Sequence, residues 1–276
     1  MEYSQFIFES LEDEKKDILV AMLSNIGFTG FEEEGETLKA FIATTDINED
    51  ELNNIVQVLY VHYSKSAIRE TNWNEKWESG FEPVTILDPV SSKPFVHLRA
   101  GFHQPGESAG FDINITPKMS FGTGHHPTTY LMIEQMSQIN FRGKIVIDFG
   151  TGTAVLAIIA EKLGAGKVLA IDNDDWSINN ALENIEANDC NRISVIKADH
   201  LKKLEKADII LANINLNIIS ENLQDIRSLC KENTELLFSG IMAHDEATIK
   251  ARLEGYTFRI KRIYHKDGWL AISGAF

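Results

Sequence analysis

In the second half of the chain, short apolar runs alternate with longer amphipathic stretches. The runs at 144–148, 167–172, 193–197, 208–212 and 235–239 read as buried strands, and a helix is predicted over 128–136. Helical segments of ten or more residues separate the strands, so a doubly wound α/β fold with a mostly parallel sheet is expected. Two further runs, 256–265 and 269–273, flank Lys266-Asp267-Gly268. Asp-Gly between apolar runs signals a hairpin, which gives the sheet an antiparallel edge and seven strands in all.

The first 64 residues follow a different rhythm. Strands are predicted at 3–8, 28–33 and 38–44, and a helix at 12–26 takes its apolar face from Leu11, Ile18, Leu19, Met22 and Leu23. Gly27 ends that helix. A second helix, capped by Asp46 or Asn48, carries Leu52, Ile55, Val56 and Leu59 at helical spacing, with acids in its first turn. This order predicts a small ferredoxin-like α+β domain over 1–64. Residues 65–81 read as a linker, in which Trp73 and Trp77 share one side of a helix and either pack between domains or reach a substrate channel. A larger domain then spans 82–276, beginning with an extended region punctuated by Pro83, Pro89 and Pro94 and strands at 95–99 and 111–116. No internal repeat is evident.

Charge sharpens this division. The formal net charge is -15, and residues 1–64 alone carry fourteen acids against three lysines. Such a segment repels phosphate backbones and suits a basic protein partner, although an acidic surface can also serve solubility alone. No nucleic-acid substrate is expected. There is no apolar stretch near the ~20 residues of a membrane span and no basic-then-apolar leader. With two cysteines, Cys190 and Cys230, the sequence predicts a cytoplasmic protein, without a disulfide framework and monomeric.

Residues 145–156, Ile-Val-Ile-Asp-Phe-Gly-Thr-Gly-Thr-Ala-Val-Leu, read as a strand, a glycine turn and a helix start. Gly150 and Gly152 let backbone approach a ligand where a Cβ would collide. A dinucleotide fingerprint would place a third glycine at Val155. Its absence, and Asp148 beside the turn, argue against a pyrophosphate and favour a ligand with a positive amino group and sulfonium, as in S-adenosylmethionine. Asp172, ending the next strand, is placed to accept hydrogen bonds from ribose hydroxyls or to cap a helix, a task Asp174 or Asp175 could take instead. Asp199 could accept from an adenine amine or serve a turn. Asn213, where an apolar strand meets the expected ligand face, could orient an amine for in-line methyl transfer or simply end the strand. No general base stands out.

The string Phe121-Gly122-Thr123-Gly124-His125-His126-Pro127-Thr128-Thr129, taken with 148–156 and Asn213, resembles the bacterial PrmA family, which methylates the eleventh protein of the large ribosomal subunit. The resemblance spans essentially the whole chain. It implies a ferredoxin-like substrate-recognition domain, a linker and a class I methyltransferase domain. The implied reaction moves methyl groups from S-adenosylmethionine to lysine or N-terminal amines of ribosomal protein L11. Matching positions make Thr129, Gly150, Asp172 and Asn213 cofactor-binding; the reading of Asn213 as the residue that orients the amine makes it catalytic as well. The residues themselves add Asp148, Gly152 and Asp199 to the cofactor set. Ala154 stands where the family has glycine, and His125 where it has threonine. His125 and His126 are neighbours whose side chains diverge, so no metal site is expected; His126-Pro127 instead fixes the entry to a helix. Two other readings of the same layout are an NAD-dependent oxidoreductase and a non-catalytic ribosome-assembly module.

Overall fold

Residues 3–68, 81–106, 110–116, 118 and 121–276 are described by a computed structural model. The paired tryptophans, Trp73 and Trp77, lie outside them. The chain divides into two units, Met1–Ser79 and Gly80–Phe276.

In the first unit, β1 (Tyr3–Phe8), α1 (Asp13–Asn25), β2 (Gly30–Glu34), β3 (Thr37–Ala43), α2 (Glu49–Leu59) and β4 (Tyr63–Ile68) follow one another. The strands form an antiparallel sheet in the order β2-β3-β1-β4, the ferredoxin-like arrangement. β1 alternates half-buried and buried residues, sending Phe6 and Phe8 into a core shared with Leu19, Leu23, Leu38 and Leu52. Asn48 is the residue that caps α2, accepting from Glu51 N at 3.3 Å. Two expectations change. Ile18 is 46% exposed, because the buried stripe runs through Leu19 and Leu23 and leaves Ile18 about 100° away around the helix. The unit also extends past Ser64, since β4 pairs with β1 as far as Ile68. Its Ser-Lys-Ser run is the polar sequence of an edge strand, which hides it from a search for apolar alternation.

The second unit begins with β5 (Val84–Leu87), β6 (Pro94–Arg99) and β7 (Phe111–Asn114), a small sheet ordered β5-β6-β7. The strand expected to reach 116 stops at Asn114, where helix side chains replace a partner strand: Asn188 Oδ1 accepts from Asn114 N at 2.9 Å, and Asn184 Oδ1 from Thr116 N at 2.8 Å. Then come α3 (Pro127–Met136), β8 (Ile145–Phe149), α4 (Val155–Lys162), β9 (Lys167–Asp172), α5 (Asp175–Ala187), β10 (Ile193–Lys197), β11 (Ala207–Asn213), α6 (Leu216–Ser228), β12 (Cys230–Met242), α7 (Glu246–Gly255), β13 (Arg259–Lys266) and β14 (Trp269–Ala275). The seven-stranded sheet runs β10-β9-β8-β11-β12-β14-β13, parallel from β10 to β12. β14 is antiparallel to both neighbours, and Asp267 and Gly268 both take positive φ in the hairpin turn. The sheet is covered on both faces. Val146 joins one apolar cluster with α3 and α4, while Ile147 and Phe149 join the other with α6 and α7. Ligand sites of such sheets lie beyond the carboxyl ends of the parallel strands.

Candidate functional site

Beyond the carboxyl ends of β8, β9 and β11 lies a cavity of about 430 Å³. Five of the residues singled out from sequence line it: Gly150, Gly152, Asp172, Asp199 and Asn213. The other two do not. Thr129, in the first turn of α3, is fully buried and meets the site through Asn213, whose Nδ2 donates to its Oγ1 at 3.3 Å. Asp148 is also fully buried and absent from the lining. Alternation along β8 turns it to the same face as Val146, under the turn rather than beside a ligand. Asp148, expected beside a ligand, is therefore not part of this cavity's wall. Its Oδ2 accepts from Thr151 Oγ1 at 2.6 Å and its Oδ1 has no partner among the described residues. Burial pushes the Asp148 carboxyl up to about 7, against the opposing pull of the Thr151 hydroxyl.

The turn from β8 to α4 is built from left-handed residues, with φ of +75° at Gly150, +55° at Gly152 and +63° at Ala154. Gly150 and Thr151 donate their N–H groups to Ile171 O at 2.8 and 2.9 Å. Gly152 N donates to Asp172 Oδ2 at 2.9 Å. A Cβ on Gly150 would strike the Ile214 side chain, and one on Gly152 the carbonyl oxygen of Phe121. These glycines therefore make room first for the protein itself, whereas the sequence suggested room for a ligand. Ile214, nested between Gly150 and Gly240 and lining the cavity, was not singled out from sequence. The glycine of positive φ inside β12 was its available signal.

Asp172 is left clear of helix capping. Asp174 caps α5, accepting from Ser177 N at 2.9 Å, while Asp172 Oδ1 accepts from Asp174 N at 3.1 Å. Phe121, 49% exposed, forms one wall of the cavity. The His126 ring lies 5.0 Å from it and 4.7 Å from Trp269. His126 Nδ1 accepts from Thr128 N, so the residue caps α3 with Pro127 in its first turn. His125 turns away onto Phe81, centroids 4.9 Å apart. Loop and turn share a tetrapeptide, Phe-Gly-Thr-Gly, at 121–124 and 149–152.

The lining carries three acids, Asp172, Asp199 and Glu221, and among the described residues no lysine, arginine or histidine. The turn amides that would cradle a pyrophosphate are committed to Ile171 and Asp172. Asn213 Oδ1 is buried without a partner among the described residues. The donor set thus fits a ligand bearing positive charge and polar N–H or O–H groups, not a dianionic one.

Comparison with known proteins agrees. The family model described as "Ribosomal protein L11 methyltransferase (PrmA)" matches residues 4–276. This chain belongs to that family. Relatives named ribosomal protein L11 methyltransferase include one from Chlorobaculum tepidum, 35% identical over 95% of this chain and 92% of its own length. Another, from Bacteroides fragilis, is 33% identical over 99% of both. A crystal structure of a ribosomal protein L11 methylase from Lactobacillus delbrueckii subsp. bulgaricus superposes with a TM-score of 0.61 at 30% identity, covering 65% of this chain and 94% of that one. The chain is therefore an S-adenosylmethionine-dependent methyltransferase with the class I fold. No helix among its described residues is long and apolar enough to cross a membrane.

Proposed function

We propose that this enzyme methylates amines of ribosomal protein L11, lysine side chains or the N-terminal amine, with the 430 Å³ cavity as its cofactor site. The observation that carries this reading is Asn213, which lines an acidic cavity without lysine, arginine or histidine among the described residues and whose buried Oδ1 has no partner among them. S-Adenosylmethionine, when bound, supplies a methyl group made electrophilic by its sulfonium. Asp172 keeps lone pairs free on both oxygens after serving Gly152 and Asp174, and these accept from ribose hydroxyls. Asp199, exposed on the rim, accepts from the adenine amine. Gly150 and Gly152 bring backbone against the methionine part, and Asp148 holds the Thr151 hydroxyl from beneath the turn. Asn213 Oδ1 accepts one N–H of the incoming amine and aims its lone pair for in-line attack, held in that pose by Thr129. A carboxamide accepts a hydrogen bond but not a proton, so the amine must arrive neutral. Phe121 limits water entry on one side.

The first unit, acidic over residues 1–64, docks the basic substrate protein. Both cysteines are free, in keeping with a reducing cytoplasm.

Radiolabelled S-adenosylmethionine incubated with the enzyme and recombinant L11, followed by mass spectrometry, tests the reading. Label on lysine or terminal amines of L11 is expected. Tight S-adenosylhomocysteine binding without transfer would favour the assembly module, and NADH binding without S-adenosylhomocysteine binding would favour an oxidoreductase.

A further inference from the structure

Thr153, fully buried between Gly152 and α4, makes three hydrogen bonds to two separate segments. Its N–H donates to Phe121 O at 3.0 Å and its Oγ1 to Gly122 O at 3.0 Å. Its own carbonyl accepts from Asn184 Nδ2 at 2.9 Å. Asn184 is itself fully buried on α5 and also holds Thr116 N through its Oδ1. Residues 121–124 belong to no strand or helix, yet two successive carbonyls of this loop are held by one side-chain and backbone pair.

The two glycine-bearing segments are also shaped to each other. A Cβ on Gly122, at φ +114°, would stand 2.5 Å from Thr153 Oγ1, and a Cβ on Gly152 would meet Phe121 O. Each segment leaves out a side chain where the other presents a polar atom. Next in line, Gly152 N is anchored on Asp172, and Phe121 stands in the cavity wall.

We propose that Thr153 is a positioning residue for the reaction, clamping the 121–124 loop onto the glycine turn with Asn184 steadying it from behind. Phe121 is then delivered to the cavity wall by the same residue that follows the ligand-facing Gly152, so cofactor binding and loop closure are coupled. The inference rests on the cavity being the cofactor site. It assigns a role to a residue that touches neither ligand nor reacting atoms.

Isothermal titration with S-adenosylhomocysteine and hydrogen exchange of the loop amides, on the full chain, test it in the parent, Thr153→Ala and Thr153→Ser. Thr153→Ala should bind about tenfold more weakly, the loss of one buried hydrogen bond. Its KM for S-adenosylmethionine should rise by the same factor, with kcat changed less. In this variant the ligand should no longer slow exchange across 121–124. Thr153→Ser keeps the hydroxyl and should restore affinity and protection. Parent-like affinity and protection in Thr153→Ala would overturn the clamp, as would failure of Thr153→Ser alongside an unchanged melting temperature. Should Thr153→Ala not fold, the parent still decides, because the Thr153 amide donates to Phe121 O and its exchange reports loop opening. Bound S-adenosylhomocysteine must slow that exchange, and an unchanged rate overturns the clamp. A parent that binds no S-adenosylhomocysteine would instead defeat the assignment of the cavity.

Discussion

Asn213 Nδ2 donates to Thr129 Oγ1 at 3.3 Å in a buried setting, joining residues 84 apart in sequence. The amide oxygen of Asn213, at the end of β11, has no partner among the described residues. One polar group is thus oriented by another, in a residue that lines the cavity.

Thr129→Val keeps the shape of the side chain and removes that acceptor. The amide then loses its fixed orientation at a cost of about 1 kcal/mol. A drop in kcat/KM of roughly five- to tenfold is expected, with affinity for S-adenosylhomocysteine little changed. Steady-state kinetics and titration check this, and a variant that loses only cofactor affinity would place Thr129 at the ligand instead.

Asp172→Ala removes the proposed ribose acceptor and also orphans Gly152 N. Cofactor affinity should fall by about 1 to 3 kcal/mol, the range for hydrogen bonds to a charged group. Calorimetric titration measures it, and unchanged affinity would end the ribose assignment.

Asp148 gives a pH dependence of definite sign. Its carboxyl titrates near about 7 in the folded protein against an ordinary value of 3.8. Between those values the native state holds the proton and the unfolded chain does not, so this contribution to stability is lost as pH rises through the folded value. Asp148→Asn removes the titration. The urea midpoint of the variant, taken relative to the parent, should therefore rise from about pH 5 to 8. A constant difference across that range would show that Asp148 is ionised throughout.

Ala154 sits at φ +63° as the residue before α4, fully buried. A left-handed alanine costs roughly 1 to 2 kcal/mol, and glycine gives back about half of that in chain entropy. Ala154→Gly should therefore stabilise by about 0.5 to 1 kcal/mol and raise Tm by about 1 to 3 °C. Differential scanning calorimetry decides, and a lower Tm would mean that the buried methyl outweighs the backbone strain.

The doubly wound order, the closing hairpin and the ferredoxin-like unit were all written in local pattern. Strand and helix periods, Asp267-Gly268 and the capping residue Asn48 depend on neighbours within a few positions. Five of the seven expected site residues could likewise be placed at the cavity, because in a parallel sheet the strand ends, Asp172 and Asn213, and the turns just beyond them, with Gly150, Gly152 and Asp199, lie at the ligand end whatever packs around them. What lies across the fold could not be read that way. Asp148 was expected at the ligand, yet which face of β8 it joins depends on helices packed from elsewhere. Gly150 and Gly152 looked like concessions to a ligand, but they are required by Ile214 and Phe121, which long-range folding brings against them. The end of β7 is set by asparagines on α5, some seventy residues on. Sequence alone determined most of the elements and their order, the polar edge strand β4 excepted, and the polar groups at the strand ends. Tertiary structure decided which of those groups reach the cavity and which hold the others in place, because burial and hydrogen-bond partners are properties of chain segments that sequence keeps far apart.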